Sequence, residues 1–107
     1  MAKGSLVEEI DEKEFDLTLK SKVVIVDFFA EWCMPCLMMA PVFEEIADRM
    51  KSVKFAKVNV DENQELAGKF KVMSIPCLII FKNGKEVERI IGSQTSEAIE
   101  EKLKKYI

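Results

Sequence analysis

The alternation of hydrophobic and polar positions divides the chain into strands and helices. Residues 22–29 (Lys-Val-Val-Ile-Val-Asp-Phe-Phe) are almost continuously apolar, β-branched or aromatic, which is typical of a strand covered on both faces. Residues 77–81 have the same character, and residues 53–60 predict another strand, followed by a short helix over 62–70. Strands that are covered on both faces need helices on each side of one sheet. The sequence therefore predicts a sheet between two helical layers.

Two helices are predicted before the middle of the chain. The first begins after Asp11, because Asp11 and Glu14 match a capping box and Ile10 and Phe15 have the spacing of a hydrophobic staple. The second extends over residues 35–50, where apolar residues recur every three or four positions. Its predicted buried stripe consists of Met39, Phe43, Ile46, Ala47 and Met50.

A hairpin and a last helix are predicted for the C-terminal part. The Asn83-Gly84 pair is a strong signal for a two-residue hairpin, which returns the chain as a strand over 86–91. Thr95 or Ser96 caps the last helix. The predicted buried stripe of this helix contains Ile99, Leu103 and either Tyr106 or Ile107. Residues 5–9 are expected to add an edge strand, which gives four to five strands in all.

Composition narrows the class of protein and its partners. A chain of 107 residues predicts a single domain, 1–107, with one hydrophobic core. The net charge of −3 provides no basic surface for nucleic acid or an anionic membrane. No apolar run has the length of a signal peptide or a membrane span, so we expect a cytoplasmic protein. A monomer is the default expectation, because the inferred apolar surface is assigned to substrate. Thiols are kept reduced in the cytosol, where a close cysteine pair is typically catalytic or metal-binding.

The strongest chemical signal is the sequence Cys33-Met34-Pro35-Cys36, where a central strand ends and a helix begins. Unpaired amides and the helix dipole stabilise a thiolate there and lower the pKa of a thiol. Pro35 suits a first helical turn because its missing N–H needs no partner. Cys33, nearer the loop, is predicted to attack a disulfide, and Cys36 to resolve the mixed disulfide.

A zinc or iron–sulfur half-site is the competing interpretation of this pair. A closed tetrahedral site normally takes four Cys or His ligands. The chain has no histidine and only one further cysteine, Cys77. We therefore favour the redox interpretation and expect no metal and no cofactor.

Several motifs of the sequence resemble those of the thioredoxin family in their order and spacing, and together they extend over nearly the whole chain. They are residues 26–36 (Val-Asp-Phe-Phe-Ala-Glu-Trp-Cys-Met-Pro-Cys), Ala40-Pro41, residues 57–61 (Lys-Val-Asn-Val-Asp), Ser74-Ile75-Pro76, Asn83-Gly84 and Gly92. The resemblance implies the α/β thioredoxin fold, a mixed central sheet of four to five strands flanked by about four helices. It also implies a thiol–disulfide oxidoreductase that passes electrons from a thioredoxin reductase to disulfides in substrate proteins.

The resemblance also implies roles for residues around the dithiol. Asp27 corresponds to a buried carboxylate that accepts the proton of Cys36, and its place in an apolar strand predicts a raised pKa through desolvation. Lys57 corresponds to the charge partner of Asp27. Pro76 corresponds to a cis-proline that faces the dithiol. The predicted substrate surface is an apolar collar around Cys33, formed with Pro76 by Trp32, Met34, Pro35, Ile75 and Gly92.

Two departures from the family pattern leave alternatives open. Met34 stands where the family usually has Gly, and residues between the cysteines tune the redox potential, so a disulfide oxidant or isomerase remains an alternative. Cys77 follows Pro76, where Thr is frequent, and is either a small buried side chain or a third reactive thiol. The remaining alternatives are a non-catalytic binding module and a metal carrier that uses Cys33, Cys36 and Cys77.

Overall fold

Strands and helices alternate along the chain in the computed structural model, which describes residues 5–107. The elements are β1 (Glu8–Glu9), α1 (Glu12–Thr18), β2 (Val23–Phe29), α2 (Met34–Arg49), β3 (Lys54–Asn59), α3 (Gln64–Lys69), β4 (Cys77–Lys82), β5 (Lys85–Ile91) and α4 (Ser96–Lys104). Residues 1–4 of the predicted domain 1–107 lie outside the described residues. None of the helices within 5–107 is long and apolar enough to cross a bilayer.

The strands form one mixed sheet in the order β1-β3-β2-β4-β5. β3 is parallel to both β1 and β2, whereas β4 is antiparallel to β2 and to β5. At the centre, Val26 lies opposite Ala56 of β3 and Ile79 of β4. The prediction of a mixed sheet of four to five strands with about four helices is confirmed.

The sheet divides the hydrophobic core into two clusters, one on each face, as the apolar pattern of β2 predicts. The single core expected from the chain length is therefore two-sided. On one face, Ile25 belongs to a cluster that includes Phe43 of α2 and Ile99 of α4. On the other face, Val26 belongs to a cluster that includes Phe15 of α1. Successive side chains of a strand point to opposite faces, so a strand covered on both sides is apolar at every position.

Helix and turn signals predicted from the sequence are present in the structure. The Asp11 side chain accepts a hydrogen bond from the Glu14 N–H at 3.0 Å, and the Glu14 side chain accepts one from the Asp11 N–H at 3.0 Å. Thr95, rather than Ser96, caps α4 by accepting from the Ala98 N–H. The hairpin turn places Gly84 at φ 83°, a left-handed conformation that glycine adopts without strain.

The edge strand is shorter than predicted, since β1 contains Glu8–Glu9 and not residues 5–9. The preceding residues are bonded to α2 and not to the sheet. The Ser5 hydroxyl donates to the Glu44 carboxylate, and the Leu6 N–H donates to the same carboxylate at 3.2 Å. These contacts turn the segment away from β3 before it can extend the ladder.

Candidate active site

The two neighbouring cysteines lie at the N-terminus of α2 and are joined by a disulfide. The Cys33 N–H donates to the Ala30 carbonyl at 3.2 Å, which turns the chain from the end of β2 into the helix. Cys33 is the N-cap of α2, and its sulfur accepts a hydrogen bond from the Cys36 N–H at 3.1 Å. Pro35 lies in the first turn, where its lack of an N–H leaves no helical bond unmade. The sulfur at the N-cap therefore receives both a direct amide bond and the favourable end of the helix dipole.

Burial alone does not separate the two cysteines in the disulfide form. Cys33 is 4% exposed and Cys36 is 3% exposed, although the sequence placed Cys33 nearer the exposed loop. What separates them is their surroundings. Cys33 lies between Trp32 and Met34, whose side chains are 70% and 64% exposed, whereas Cys36 lines an internal cavity. The difference between the two buried cysteines is therefore that Cys36 borders the cavity of Asp27 and Cys33 does not.

The cavity beside Cys36 contains three charged side chains. Asp27 from β2, Glu44 from α2 and Lys57 from β3 line it together with five apolar side chains. Its volume is about 80 Å³. A water molecule needs roughly 10–15 Å³ of such space, so the cavity is large enough for water.

Asp27 is buried in this cavity and carries an unusual proton affinity. The residue is 4% exposed, and its Oδ1 has no hydrogen-bond partner within the described part of the chain. Burial raises the pKa of Asp27 to about 7, against the charge of Lys57, which lowers it. The carboxyl group can therefore gain or lose a proton near neutral pH.

Lys57 influences Asp27 from a distance. The two residues are register neighbours on the parallel strands β3 and β2, and Lys57 is half-buried. Its ammonium lies over the ring of Phe29, 5.4 Å from the centroid. In residues 5–107 no ion pair joins Lys57 to Asp27. The structure thus brings the predicted charge partner to the same cavity without a direct contact.

The predicted collar is only partly exposed. Trp32, Met34 and Pro35 are exposed beside the disulfide, and Ile75 is half-buried and packs against Cys33 and Cys36. These four residues form an apolar edge beside the disulfide.

Pro76 and Gly92 hold the loop behind this edge. The Ile75–Pro76 peptide bond is cis, and the Gly92 N–H donates to the Pro76 carbonyl at 2.8 Å. Gly92 is half-buried and has a φ of 87°, a left-handed conformation that residues other than glycine rarely adopt. Pro76 itself is buried, because it directly precedes the covered strand β4, and so it adds no exposed surface to the collar.

Asp61 is a residue of this region that the sequence did not single out. The Trp32 Nε1–H donates to Asp61 Oδ2 at 2.8 Å and fixes an otherwise exposed indole. Asp61 is positioned by buried Asn59, whose Oδ1 accepts from the Asp61 N–H at 2.9 Å. The sequence offered the 57–61 motif and its polar Asn-Val-Asp stretch at the end of a strand, but neither predicts a bond to Trp32, and the stretch also fits an ordinary turn.

Cys77 lies away from the disulfide. It is unpaired and 1% exposed, and it belongs to the core cluster of Phe28 and Phe81, on the sheet face opposite α2. Burial raises the pKa of its thiol. The prediction of a small buried side chain is confirmed. Among residues 5–107, no group of three or more Cys, His, Asp or Glu side chains is arranged to hold a metal ion.

Comparisons with known proteins agree with this geometry. The Thioredoxin family model matches residues 6–105. A thioredoxin from Listeria monocytogenes is 46% identical over 103 residues, which cover 95% of this chain and 100% of that protein. A thioredoxin from Chlamydia pneumoniae is 42% identical over 101 residues, covering 94% and 99%.

Solved structures give the same result for the fold. A thioredoxin from Plasmodium falciparum superposes with a TM-score of 0.88 at 37% identity, covering 94% of this chain and 100% of that one. A mutant thioredoxin from Halobacterium salinarum has a TM-score of 0.87 at 35% identity, covering 98% and 96%. The family match, these relatives and the Cys33–Cys36 disulfide show that the chain belongs to the thioredoxin family and is a thiol–disulfide oxidoreductase that reduces protein disulfides.

Proposed function

We propose that Cys33 is the attacking thiol and Cys36 the resolving thiol of this reaction, and that a thioredoxin reductase restores the dithiol. The assignment depends on one observation. Cys33 caps α2 between exposed Trp32 and Met34, whereas Cys36 faces the cavity that contains Asp27. A substrate disulfide approaches from solvent, and the thiol nearest the exposed side chains meets it first.

In the first step the Cys33 thiolate attacks one sulfur of a substrate disulfide. A bond forms between Cys33 and that sulfur, the substrate S–S bond breaks, and the second substrate sulfur leaves as a thiolate that takes a proton from water. The Cys36 N–H, which donates to Cys33 Sγ at 3.1 Å, and the N-terminus of α2 both favour the thiolate over the thiol.

In the second step Cys36 releases the reduced substrate. Its thiol gives a proton to Asp27, directly or through water in the cavity, and the thiolate attacks Cys33 Sγ. The mixed disulfide breaks, the remaining substrate sulfur leaves as a thiolate, and a Cys33–Cys36 disulfide forms. Two electrons have passed to the substrate, and the reductase returns two electrons to the chain. A pKa of about 7 suits Asp27 to accept this proton near neutral pH.

Lys57 is proposed to tune this proton acceptor. Its positive charge lowers the pKa of Asp27 and so opposes part of the effect of burial. Without this charge, burial alone would keep Asp27 protonated to higher pH, and a protonated carboxyl cannot accept a proton from Cys36.

Substrate binding is proposed to use the apolar edge around the disulfide. Trp32, Met34 and Pro35 offer exposed apolar surface, and the Ile75 backbone offers hydrogen bonds to an extended substrate segment. Pro76, next to Ile75, and Gly92 shape this edge through the bond between the Gly92 N–H and the Pro76 carbonyl.

The proposed setting is the cytoplasm, with the chain acting as a monomer on disulfide-containing substrate proteins. A donor of electrons to disulfides fits a compartment in which thiols are kept reduced. The net charge of −3 supports neither nucleic acid nor an anionic membrane as a partner.

Met34 supports a second candidate function, disulfide oxidation or isomerisation. Its side chain is 64% exposed between the cysteines, where a substitution changes the relative stability of dithiol and disulfide. A redox titration in glutathione or dithiothreitol buffers, followed by Trp32 fluorescence, separates the two functions. A two-electron transition at about −270 mV supports a disulfide reductant, and a transition at about −180 mV supports a disulfide oxidant or isomerase.

Cysteine variants in the same titration test the chemistry itself. Both Cys33→Ser and Cys36→Ser should abolish the two-electron transition and the reduction of a fluorescent reporter peptide closed by a disulfide. Retention of the transition in either variant would exclude a Cys33–Cys36 couple and favour the binding-module alternative.

A further inference from the structure

The segment before β1 is fastened to α2 by a single carboxylate. Glu44 is half-buried, and it accepts hydrogen bonds from the Ser5 hydroxyl and from the Leu6 N–H at 3.2 Å. The Ser5 oxygen in turn accepts from the Val7 N–H at 3.1 Å. The segment Ser5–Val7 is thus held to α2 by bonds between residues that are 39 and 38 positions apart in the sequence.

This fastened segment forms part of the wall of the cavity that contains Asp27. Val7 is 5% exposed and lines the cavity, and so does Glu44. Ser5 and Leu6 lie outside it and are exposed. The polar contacts of Glu44 therefore hold the apolar Val7 side chain in place beside Asp27.

Asp27 depends on this wall because its proton affinity depends on its burial away from bulk solvent. Burial is the main cause of its raised pKa, and the opposing influence is the charge of Lys57. The titratable groups that line the cavity with it are Cys36 and Glu44 from α2 and Lys57 from β3. Glu44 borders this cavity with its own side chain and also fastens the covering segment, so the test must separate these two influences.

We propose that Glu44 is a positioning residue for the resolving step: it fastens Ser5–Val7 over the cavity, and this segment limits the entry of water to Asp27. The inference rests on the proposed role of Asp27 as proton acceptor. When the segment is released, water hydrates the ionised carboxylate, and Asp27 becomes a weaker base. The rate of the resolving step should then rise at lower pH and reach a lower plateau.

Four variants separate fastening from charge. Glu44→Ala removes both bonds to the segment. Ser5→Ala removes the hydroxyl's bond to Glu44 and its bond from the Val7 N–H, while leaving every cavity-lining residue unchanged. Glu44→Gln removes the charge but keeps an oxygen that can accept from Leu6. Glu45→Ala is the matched control, because Glu45 is the next residue of α2, is exposed, and pairs with Arg49 at 2.9 Å and not with the segment.

The first measurement is the chemical shift of the Asp27 carboxyl carbon, followed by NMR as a function of pH in each variant. Glu44→Ala should lower the titration midpoint by about one pH unit, a tenfold change in proton affinity. Ser5→Ala should lower it in the same direction, Glu44→Gln should have a smaller effect, and Glu45→Ala should have none. Ser5 is an exposed residue, so its variant keeps the test valid even if Glu44→Ala folds poorly.

The second measurement is the pH profile of the resolving step. Reduced protein reacts with a chromophoric aromatic disulfide, and the release of the second aromatic thiolate reports the attack by Cys36. The midpoint of this profile should move with the NMR midpoint in each variant. A lowered NMR midpoint with an unchanged profile would overturn the connection to the resolving step.

Two further outcomes would overturn the inference. One is an unchanged Asp27 midpoint in both Glu44→Ala and Ser5→Ala. The other is an equal effect of Glu44→Gln and Glu44→Ala with none of Ser5→Ala, which would assign the influence to charge. Asp27→Asn separates this test from that of the proposed function. An unaltered resolving rate in Asp27→Asn would refute the role of Asp27 as proton acceptor. The NMR midpoint of Asp27 in the Glu44 and Ser5 variants reports instead on how the segment Ser5–Val7 covers the cavity.

Discussion

Asp27 should make the protein less stable as the pH rises from acidic to neutral values. The carboxyl group is 4% exposed, and its Oδ1 has no hydrogen-bond partner in the described residues. Folding therefore places an ionisable group where its charged form is poorly solvated. Asp27→Asn removes the charge while keeping the size of the side chain.

The direction and size of the effect follow from the two proton affinities. The pKa of Asp27 is raised from its ordinary value of 3.8 to about 7 by burial. Between these pH values the folded state binds more protons than the unfolded state, so the free energy of unfolding falls as the pH rises. About three pH units at 1.36 kcal/mol each correspond to a loss of roughly 4 kcal/mol, complete above the folded-state pKa.

Urea denaturation of the oxidised protein, followed by Trp32 fluorescence, measures this loss. The difference in unfolding free energy between Asp27→Asn and the parent protein should grow in favour of the variant from acid to mildly alkaline pH, by up to about 4 kcal/mol. Effects of other carboxylates cancel in this difference because they are common to both proteins. Asp16→Asn, at an exposed position of α1, is the matched control and should show no such growth.

A difference that stays constant over this pH range would refute the reasoning. It would mean that Asp27 is ionised as readily in the folded as in the unfolded state, through water or contacts that compensate for burial. The proposed proton transfer from Cys36 would then lack an acceptor matched to neutral pH.

Three further predictions concern residues around the site and the hairpin. Asp61→Ala removes the hydrogen bond to the Trp32 indole, so steady-state fluorescence anisotropy of Trp32 should fall while stability drops by no more than about 1 kcal/mol. Cys77→Ala should cost about 1 kcal/mol in urea denaturation and leave the redox potential unchanged, since Cys77 packs on the other sheet face; a shifted potential would contradict this. Gly84→Ala, at φ 83°, should lower the unfolding free energy by about 1–2 kcal/mol, and unchanged stability would exclude that strain.

Features with a local physical signal could be predicted from the sequence. The apolar run of β2, interrupted by Asp27 alone, indicated a strand covered on both faces, and the clusters on the two faces confirm it. The Asp11 and Glu14 spacing predicted a cap that depends on two nearby residues only. The Cys33–Cys36 pair is equally local, because its chemistry needs only two thiols within one helical turn.

Features that depend on distant side chains could not be predicted. Glu44 has the pattern of an ordinary polar position on α2, and its bonds to Ser5 and Leu6 connect residues far apart in sequence. These bonds also explain why the edge strand is shorter than the predicted 5–9. Asp61 is likewise 29 residues from its partner Trp32. Periodicity shows which side of a helix or strand is buried, but not which polar groups from separate elements will meet.

Local sequence patterns also could not predict how the side chains of some site residues are placed. Pro76 was expected in an exposed collar, yet it is covered because the chain enters β4 at the next residue. Lys57 acts on Asp27 as a charge partner, since its charge lowers the pKa of Asp27, but the position of its ammonium over the Phe29 ring was not predictable. Such positions are decided by the packing of several strands together.

The most direct test of the different roles of the two cysteines is to trap the reaction between its two steps. Reduced Cys36→Ser is mixed with the disulfide-closed reporter peptide, and the products are analysed by mass spectrometry after digestion. A stable mixed disulfide at Cys33 is the expected result, with Cys33→Ser forming none under the same conditions, since the attacking thiol alone bonds to substrate. Equal trapping in the two variants, or trapping at Cys36 in Cys33→Ser, would contradict the assignment of Cys33 as attacking thiol and Cys36 as resolving thiol.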